Sequence, residues 1–383
     1  MSYTGKMDLR DLNPQQLAAV KHVHGPALVV AGAGTGKTRV IAYRIANLIN
    51  TDQAKPEEIL ALTFTDKAAG EMLDRLDGLI GWQAHRVNVM TFHAFGAQLL
   101  QRYGHHGGYS TRGEIIPDIA KLILLKQNLS QAQLSYYGPQ QDILDFLQQQ
   151  LQYIQVLQNA DVSVEDFSAY VENLGRENSK HPLDIAEAKD RLALYKLYEE
   201  LKQKHGVIDY HDQIALPLKL LGEKPNLAER LRDQYRFVLV DEYQDTNGAQ
   251  DALLRSFIPP DGNIFAVGDD DQAIYGFRGA RLSNILQFAE HYNVAKPFVL
   301  TQNFRSTQQI LDAAYGMITN NNPERLEAKL GIDKHLQGQL EGAKPRFQGY
   351  PESSLEYESI AAELVARLAG GQRADEVAVL ATG

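Results

Sequence analysis

The sequence contains no cysteine, so disulfide bonds and thiolate metal sites are excluded. It also has no apolar run that approaches the roughly 18 residues needed for a membrane-spanning helix. Its first residues show no apolar segment of the kind found in secretory signals. We therefore expect a cytoplasmic protein without a membrane partner.

A surplus of basic residues is missing as well. The 383 residues include 38 lysines and arginines against 48 acidic residues, which gives a formal net charge of −10. Taken alone, this charge argues against a nucleic-acid-binding protein. A local basic groove can still exist on an acidic chain, so any nucleic-acid role must rest on particular residues. The length itself predicts two or three domains.

What the sequence does contain is a repeated strand–turn–helix pattern. Short β-branched runs lead into a polar or glycine turn and then into a helical pattern at residues 26–49, 58–76 and 86–103. The same scheme returns in residues 237–245 and 263–271 and again from 297. Strands of this kind, alternating with helices, predict an α/β fold with a parallel sheet buried on both faces.

The middle of the chain differs from this pattern. It is rich in glutamine, and Leu144, Leu147, Leu151 and Ile154 recur there at spacings of three and four, which predicts a packed helix. We interpret this part as a helical insertion within the α/β domain. The predicted parts are a first α/β domain at 1–92 and 206–298, the insertion at 93–205, and the start of a second α/β domain at 299–383.

Residues 31–38, AGAGTGKT, fit the phosphate-binding P-loop with Ala31 in place of the first glycine. The stretch follows a predicted strand and opens a predicted helix, which is the context that this motif requires. Its glycines let backbone N–H groups surround phosphate oxygens, and the helix N-terminus adds its positive end. The residues predicted to bind ATP here are Gly32, Ala33, Gly34, Thr35, Gly36, Lys37, which would reach the β- and γ-phosphates, and Thr38, which would ligate Mg²⁺.

A later apolar run ends on two carboxylates, Asp241 and Glu242. Asp241 stands at the end of a predicted strand, where it can hold Mg²⁺ together with Thr38. Glu242 can orient and deprotonate the attacking water. Acidic pairs after strands are common, but in a chain that also has a P-loop this pair indicates a nucleotide hydrolase.

Polar groups also follow two later strands. Gln272 is positioned to sense the γ-phosphate. The carboxylates of residues 269–271 before it are expected to orient the loop or cap the next helix, with metal binding as the less favoured alternative. Arg305 could stabilise charge on the transferred phosphoryl group from across a domain cleft, and its alternative role is a surface salt bridge.

These segments together resemble the ordered motifs of a known family. AGAGTGKTR, ALTFTDKAA, VMTFHAF, VLVDEYQDTN, AVGDDDQAIYGFRGA and LTQNFRS resemble, in this order, the motifs of the UvrD/Rep/PcrA family, which are superfamily 1 DNA helicases moving 3′ to 5′. LNPQQ, residues 12–16, resembles the adenine-reading motif of that family. The resemblance implies a RecA-like P-loop NTPase motor domain with a helical insertion, followed by the first part of a second RecA-like domain.

The resemblance also implies roles for residues around the nucleotide. Gln16 would bind the adenine edge, and Phe304 would stack on the ring where the family usually has tyrosine. Arg39 would lie near the nucleotide. Gln272 and Arg305 become contacts of the γ-phosphate.

The remaining motifs resemble the DNA track of the family. Single strands are held by aromatic platforms under the bases and by polar groups on the phosphates. Asp66 stands where the family commonly has asparagine, and no DNA contact is assigned to it because a carboxylate repels phosphate. The implied platforms are Phe64, Tyr275 and Phe277, the last in place of a usual tryptophan, and the implied backbone contacts are Thr65, Thr91, His93 and Arg278.

The chain is thus expected to be the N-terminal part of an ATP-dependent DNA helicase or translocase. Its ligands would be ATP and Mg²⁺, and its partners single-stranded DNA and single-strand/duplex junctions, beside repair or replication proteins that the sequence does not identify. Residues 376–383 resemble the strand that precedes a large insertion in the family's second motor domain. Two alternatives stay open, a nucleotide-gated single-strand-binding module without unwinding and a subunit fragment of a recombination helicase–nuclease.

Overall fold

A six-stranded parallel β-sheet lies at the centre of the computed structural model, which describes residues 7–107, 114–138, 142–176, 182–274 and 282–381. The predicted α/β class with a parallel sheet is confirmed, and the strand order is β3-β2-β6-β7-β1-β8. The strands of the described residues are β1 Ala27–Ala31, β2 Ile59–Thr63, β3 Asn88–Thr91, β4 Glu114–Ile115, β5 Val207–Ile208, β6 Phe237–Val240, β7 Ile264–Gly268, β8 Phe298–Leu300, β9 Gln302–Thr307 and β10 Gln337–Leu340.

Helices cover both faces of this sheet, and β1 illustrates why its strands are apolar throughout. Leu28 and Val30 contribute to the core on one face, and Val29 and Ala31 to the core on the other. The described helices are α1 Pro14–Lys21, α2 Lys37–Asn50, α3 Asp66–Ile80, α4 Phe92–Tyr103, α5 Asp118–Asn128, α6 Ile143–Asn159, α7 Val164–Arg176, α8 Pro182–His205, α9 Asp212–Glu223, α10 Pro225–Gln234, α11 Gly248–Phe257, α12 Leu282–His291, α13 Gln308–Ile318, α14 Leu326–Leu330 and α15 Ser353–Ala369.

The parallel topology brings the ends of distant chain segments to one edge. β1, β2, β3, β6 and β7 all point the same way, so the loops that follow them open on the carboxyl edge of the sheet. In open α/β sheets, ligands bind outside this edge. The segments after β1, β6 and β7 are those that carry the sequence-predicted phosphate, magnesium and catalytic residues.

Helices α5 to α8 form a separate apolar cluster in the middle of the chain. Leu147 and Ile154 are buried in it, as the helical spacing predicts, whereas Leu144 in the first turn of α6 is 45% exposed. Helix α4 packs instead against α9 beside the sheet. The numerical boundaries of the three parts stay a prediction.

After β8, which pairs with β1, the chain forms a second, smaller α/β unit. Strands β9 and β10 pair in parallel, with Gln302 opposite Gln337, and α13 packs beside them. Helix α15 buries none of its residues. No helix within the described residues combines the length and the apolar character that crossing a membrane requires.

Candidate nucleotide and DNA site

The phosphate-binding loop joins β1 to α2 and depends on two glycines. Gly34 has a φ of 76° and Gly36 a φ of 90°, both in the left-handed region that favours glycine. A Cβ on Gly34 would lie 2.7 Å from the Arg305 Cβ, and one on Gly36 would lie 2.9 Å from the Gln16 Nε2. Gly36 also caps α2 without a side-chain hydrogen bond, so the cap residue leaves the N–H groups of the first turn to an anion.

Three side chains predicted to act in catalysis meet at the carboxyl edge of the sheet. The Lys37 Nζ lies 2.5 Å from the Glu242 Oε2 and 3.1 Å from the Gln272 Oε1. Lys37 is buried, whereas the Glu242 side chain is 34% exposed and can reach water. The tertiary structure therefore joins residues from the ends of β1, β6 and β7 into one site.

The backbone of Glu242 is unusual. Its φ of 50° places a non-glycine residue in the left-handed region, a conformation that costs free energy and tends to occur at functional sites. The Gln244 Nε2 donates to the Glu242 Oε2 over 2.8 Å, and the Glu242 N–H donates to the Asp241 Oδ1 over 3.0 Å. The Glu242 carboxylate thus faces Lys37, whereas the Asp241 carboxylate faces Thr38.

The predicted magnesium ligands, Thr38 and Asp241, are adjacent. The Thr38 hydroxyl donates to the Asp241 Oδ2 over 3.2 Å. Burial, together with the charge of Glu242, raises the pKa of Asp241 to about 6, and Lys37 opposes this shift only in part. The negative charge of the buried Asp241 carboxylate is therefore only partly balanced by Lys37. A hydroxyl and a carboxylate are oxygen ligands that suit a hard divalent cation, so these two side chains fit Mg²⁺.

The segment at the start of β9 lies directly on the P-loop. The Asn303 Nδ2 donates to the Ala33 carbonyl over 2.5 Å, and the Phe304 N–H donates to the Gly34 carbonyl over 2.9 Å. Phe304 is 47% exposed, and the Arg305 side chain is exposed beside the loop. The two residues predicted to contact ATP from the second unit are thus close to the P-loop.

Asn303 is a residue that sequence reasoning missed. It is buried, and its Oδ1 accepts hydrogen bonds from the N–H groups of Arg305 and Ser306. This is the local turn that asparagine favours. The sequence Asn-Phe-Arg-Ser allows such a turn to be predicted, but only the contact with the Ala33 carbonyl shows that Asn303 lies on the P-loop.

Gln16 and Arg39 also lie near the P-loop. Gln16 is buried, shares a capping box with Asn13 at the start of α1, and donates from its Nε2 to the Thr35 carbonyl over 2.9 Å. The Arg39 Nη2 donates to the Asp11 carbonyl over 2.9 Å. Both side chains therefore have protein partners, and their roles toward adenine stay predictions.

The predicted DNA contacts in the first part of the chain lie where the neighbouring strands β2 and β3 end. Thr65 caps α3 by accepting from the Ala68 N–H, and Thr91 caps α4 by accepting from the Ala94 N–H. Since β2 and β3 are paired, the N-termini of α3 and α4 are side by side. Phe64, half-buried, precedes the first of these caps.

His93 lies half-buried in the first turn of α4. Burial lowers its pKa below the ordinary value, while the Asp66 carboxylate acts in the opposite direction. Its ring packs edge-on against Tyr210, with the ring centroids 6.1 Å apart. Tyr210 is 60% exposed, and the sequence analysis did not assign it to this edge.

The other predicted DNA contacts, Tyr275, Phe277 and Arg278, fall outside the described residues. The loop before them is described, and its three carboxylates lie within 4.8 Å of one another. Lys334 lies among them, with its Nζ 2.7 Å from the Asp269 Oδ1 and 2.8 Å from the Asp271 Oδ2. An ammonium group therefore compensates this carboxylate cluster, and the geometry favours the predicted loop-orienting role over metal binding.

Comparisons with known proteins agree with this arrangement. Residues 12–293 match the family described as UvrD/REP helicase N-terminal domain. The chain is 38% identical over 333 residues to the ATP-dependent DNA helicase PcrA of Leuconostoc citreum, with 86% of this chain and 42% of that protein aligned. It is 36% identical over 332 residues to a probable DNA helicase II homolog of Rickettsia felis, with 85% and 47% aligned.

A third relative, the ATP-dependent DNA helicase PcrA of Staphylococcus epidermidis, is 32% identical over 377 residues, with 97% of this chain and 48% of that protein aligned. The chain therefore spans about half the length of these curated relatives. The family match covers the P-loop, the carboxylates after β6, Gln272 and the edge formed by α3 and α4. On these grounds the chain belongs to the UvrD/REP helicase family.

Proposed function

We propose that this chain is the N-terminal part of an ATP-dependent DNA helicase that binds ATP with Mg²⁺ and single-stranded DNA and moves 3′ to 5′. The observation that carries the proposal is the meeting of Lys37, Glu242 and Gln272 beside the Thr38–Asp241 pair. A phosphate-binding loop alone would support nucleotide binding. The adjoining carboxylate with access to water supports hydrolysis.

Each group has a distinct task in this mechanism. Thr38 and Asp241 would hold Mg²⁺, which neutralises phosphate charge when bound. Lys37 exchanges its ion pair with Glu242 for the β- and γ-phosphates, because an ammonium is drawn to the more highly charged group. The freed Glu242 carboxylate then orients the attacking water and accepts its proton. Gln272 and Arg305 contact the γ-phosphate.

The DNA would cross the ends of β2 and β3. The N-terminus of α4, whose first turn holds no acidic residue, offers backbone N–H groups and a positive dipole end to a phosphate, whereas Asp66 stands in the first turn of α3. Thr65 and Thr91 cap α3 and α4, His93 stands in the first turn of α4, and Phe64 provides a ring on which a base can stack. Binding of this kind depends on local groups, so it is compatible with a net charge of −10.

Phosphate release by the full chain tests the proposal. We expect hydrolysis of ATP to rise severalfold on adding single-stranded DNA and to stop when EDTA removes Mg²⁺. A partial duplex with a 3′ single-stranded tail should stimulate more than one with a 5′ tail. An ATP hydrolysis rate that does not change on adding DNA would contradict the helicase proposal. A DNA affinity that depends on the bound nucleotide, without hydrolysis of ATP, would favour the single-strand-binding alternative.

Phe64→Ala is expected to weaken binding of single-stranded DNA by about 1–3 kcal/mol, the value of one lost base stack. Fluorescence anisotropy with a labelled oligonucleotide measures this change. Phe347→Ala is the matched control, because Phe347 is 95% exposed and lies beyond β10. Equal affinity for DNA in the two variants would remove Phe64 from the DNA track.

A further inference from the structure

The loop after β7 is held by basic residues from the second α/β unit. The Lys334 Nζ contacts all three carboxylates of residues 269–271, and its side chain is 4% exposed. Arg325 binds the same loop through Asp271, with two hydrogen bonds of 2.7 Å. None of the catalytic or DNA-binding roles assigned above involves Lys334 or Arg325.

Lys334 connects to the nucleotide site through Asp269. One oxygen of this carboxylate, Oδ1, lies 2.7 Å from the Lys334 Nζ. The other, Oδ2, accepts a 2.7 Å hydrogen bond from the Gln272 Nε2. The Gln272 Oε1 in turn accepts from the Lys37 Nζ over 3.1 Å. A continuous chain of polar contacts therefore leads from Lys334 to the P-loop lysine.

The chemistry of the partners sets the direction of the Gln272 amide. An ionised carboxylate only accepts hydrogen bonds and an ammonium only donates them. The Gln272 NH₂ group must therefore face Asp269, and its carbonyl oxygen must face Lys37. The Lys334 ammonium on the Oδ1 side holds the Asp269 carboxylate in place, so that its Oδ2 faces the Gln272 Nε2.

A second contact of the same segment reaches the P-loop directly. Leu336, two residues after Lys334, packs on Gly32, where a Cβ would lie 2.8 Å from the Leu336 Cδ1. The short segment 334–336 thus touches both the loop that carries Gln272 and the loop that binds phosphate. A displacement of the second unit would therefore change its contacts with both loops.

We propose that Lys334 is a positioning residue for ATP hydrolysis, which orients the Gln272 amide at the γ-phosphate through Asp269 and ties that orientation to the position of the second α/β unit. This inference deepens the proposed function and rests on the γ-phosphate contact of Gln272. Lys334 is buried, and this role assigns it no contact of its own with nucleotide or DNA. Arg325 anchors the same loop through a different carboxylate and provides a matched comparison.

The experiment measures the preference for a non-hydrolysable ATP analogue over ADP by calorimetry on the full chain. Lys334→Met is made together with Asp270→Asn, because the methionine would otherwise leave the carboxylates of Asp269 and Asp270 without a cation, while Asp271 keeps its pair with Arg325. The asparagine keeps a carbonyl oxygen that can accept from the Leu326 N–H, as Asp270 does. Asp270→Asn alone serves as the parent protein.

We expect the Lys334→Met variant to lose preference for the ATP analogue on the order of 10-fold, as a lost hydrogen bond to a charged group would, with ADP affinity unchanged. Gln272→Ala should lose the same factor, and the combined variant should lose no more, because both changes break one chain of contacts. Arg325→Gln should lower the denaturation midpoint while the preference is kept. If Lys334 only stabilised the fold, its replacement would lower the denaturation midpoint without a selective loss of preference for the ATP analogue.

Asp269→Ala provides an independent arm. Made in the unchanged chain, it leaves Lys334 beside the carboxylates of Asp270 and Asp271 but removes the contact with Gln272, so the same loss of preference is expected. If Gln272→Ala loses preference and Lys334→Met and Asp269→Ala do not, the positioning role is overturned while the proposed function stands. If Gln272→Ala itself keeps the preference, its γ-phosphate contact and this inference both fail, although DNA-stimulated hydrolysis can still be present.

Discussion

Replacing Glu242 with glutamine is expected to slow ATP hydrolysis by about 10²- to 10⁴-fold, the usual contribution of a general base. Glutamine has the same shape and can still contact Lys37 and Gln244 through its amide. It cannot accept the proton of the attacking water. Nucleotide affinity should therefore change far less than turnover, and single-turnover hydrolysis beside a binding titration separates the two.

The matched control for this result is Glu223→Gln at the end of α9, where the side chain is exposed and distant in sequence from the nucleotide motifs. Its hydrolysis rate should equal that of the unchanged chain. Turnover by Glu242→Gln at nearly the original rate would assign the proton transfer to another group. The proposed role of Glu242 as the general base would then be contradicted.

Lys202→Met is expected to destabilise the protein by about 3–5 kcal/mol, the cost of leaving buried charges without a partner. The Lys202 Nζ lies 2.9 Å from the Asp209 Oδ2 and 2.8 Å from the Asp212 Oδ2, and its side chain is 3% exposed. Tyr198 and Gln158 also donate to the Asp209 Oδ2. Urea unfolding followed by circular dichroism measures the loss.

The pH dependence of this loss identifies its cause. Burial alone would raise the pKa of Asp209, but the Lys202 charge outweighs it and holds that pKa below its ordinary value. Without Lys202, burial raises the carboxylate pKa values, and the folded state then binds protons more tightly than the unfolded state does. The stability gap to the unchanged chain should therefore narrow as the pH falls from 8 toward 5.

Lys204→Met is the control for this prediction, since Lys204 is exposed on the same helix, α8. It is expected to change stability by less than about 0.5 kcal/mol. If the two substitutions cost the same, or if the gap for Lys202→Met widens on acidification, the ion cluster is not what joins α8 to the start of α9.

Part of the candidate site could be predicted from short stretches of the sequence. A strand, a glycine-rich turn and a helix are contiguous, so residues 31–38 predicted the P-loop and its place at the carboxyl edge. Asp241 and Glu242 were predictable for the same reason, because a run of buried apolar residues ends directly before them. Parallel strands then require that these two ends meet.

The contacts that hold the loop after β7 could not be predicted in this way. Lys334 is 64 positions from Asp270, and Arg325 is 54 positions from Asp271. Neither basic residue belongs to a periodic pattern or a motif with a local mechanism. Whether Lys334 and Arg325 reach these carboxylates depends on how the second unit packs against the first. That packing involves many weak contacts rather than one short segment.

The sequence by itself determined the α/β class, the parallel sheet, the P-loop and the carboxylate pair, because hydrophobic periodicity and glycine chemistry act over a few neighbouring residues. Only the tertiary structure decided that Lys37 pairs with Glu242, that Asn303 lies on the P-loop, and that Lys334 compensates the carboxylates beside Gln272. Such charged and polar partners meet only when burial brings distant segments together. Desolvation then makes an unpaired group costly and fixes which partner it takes.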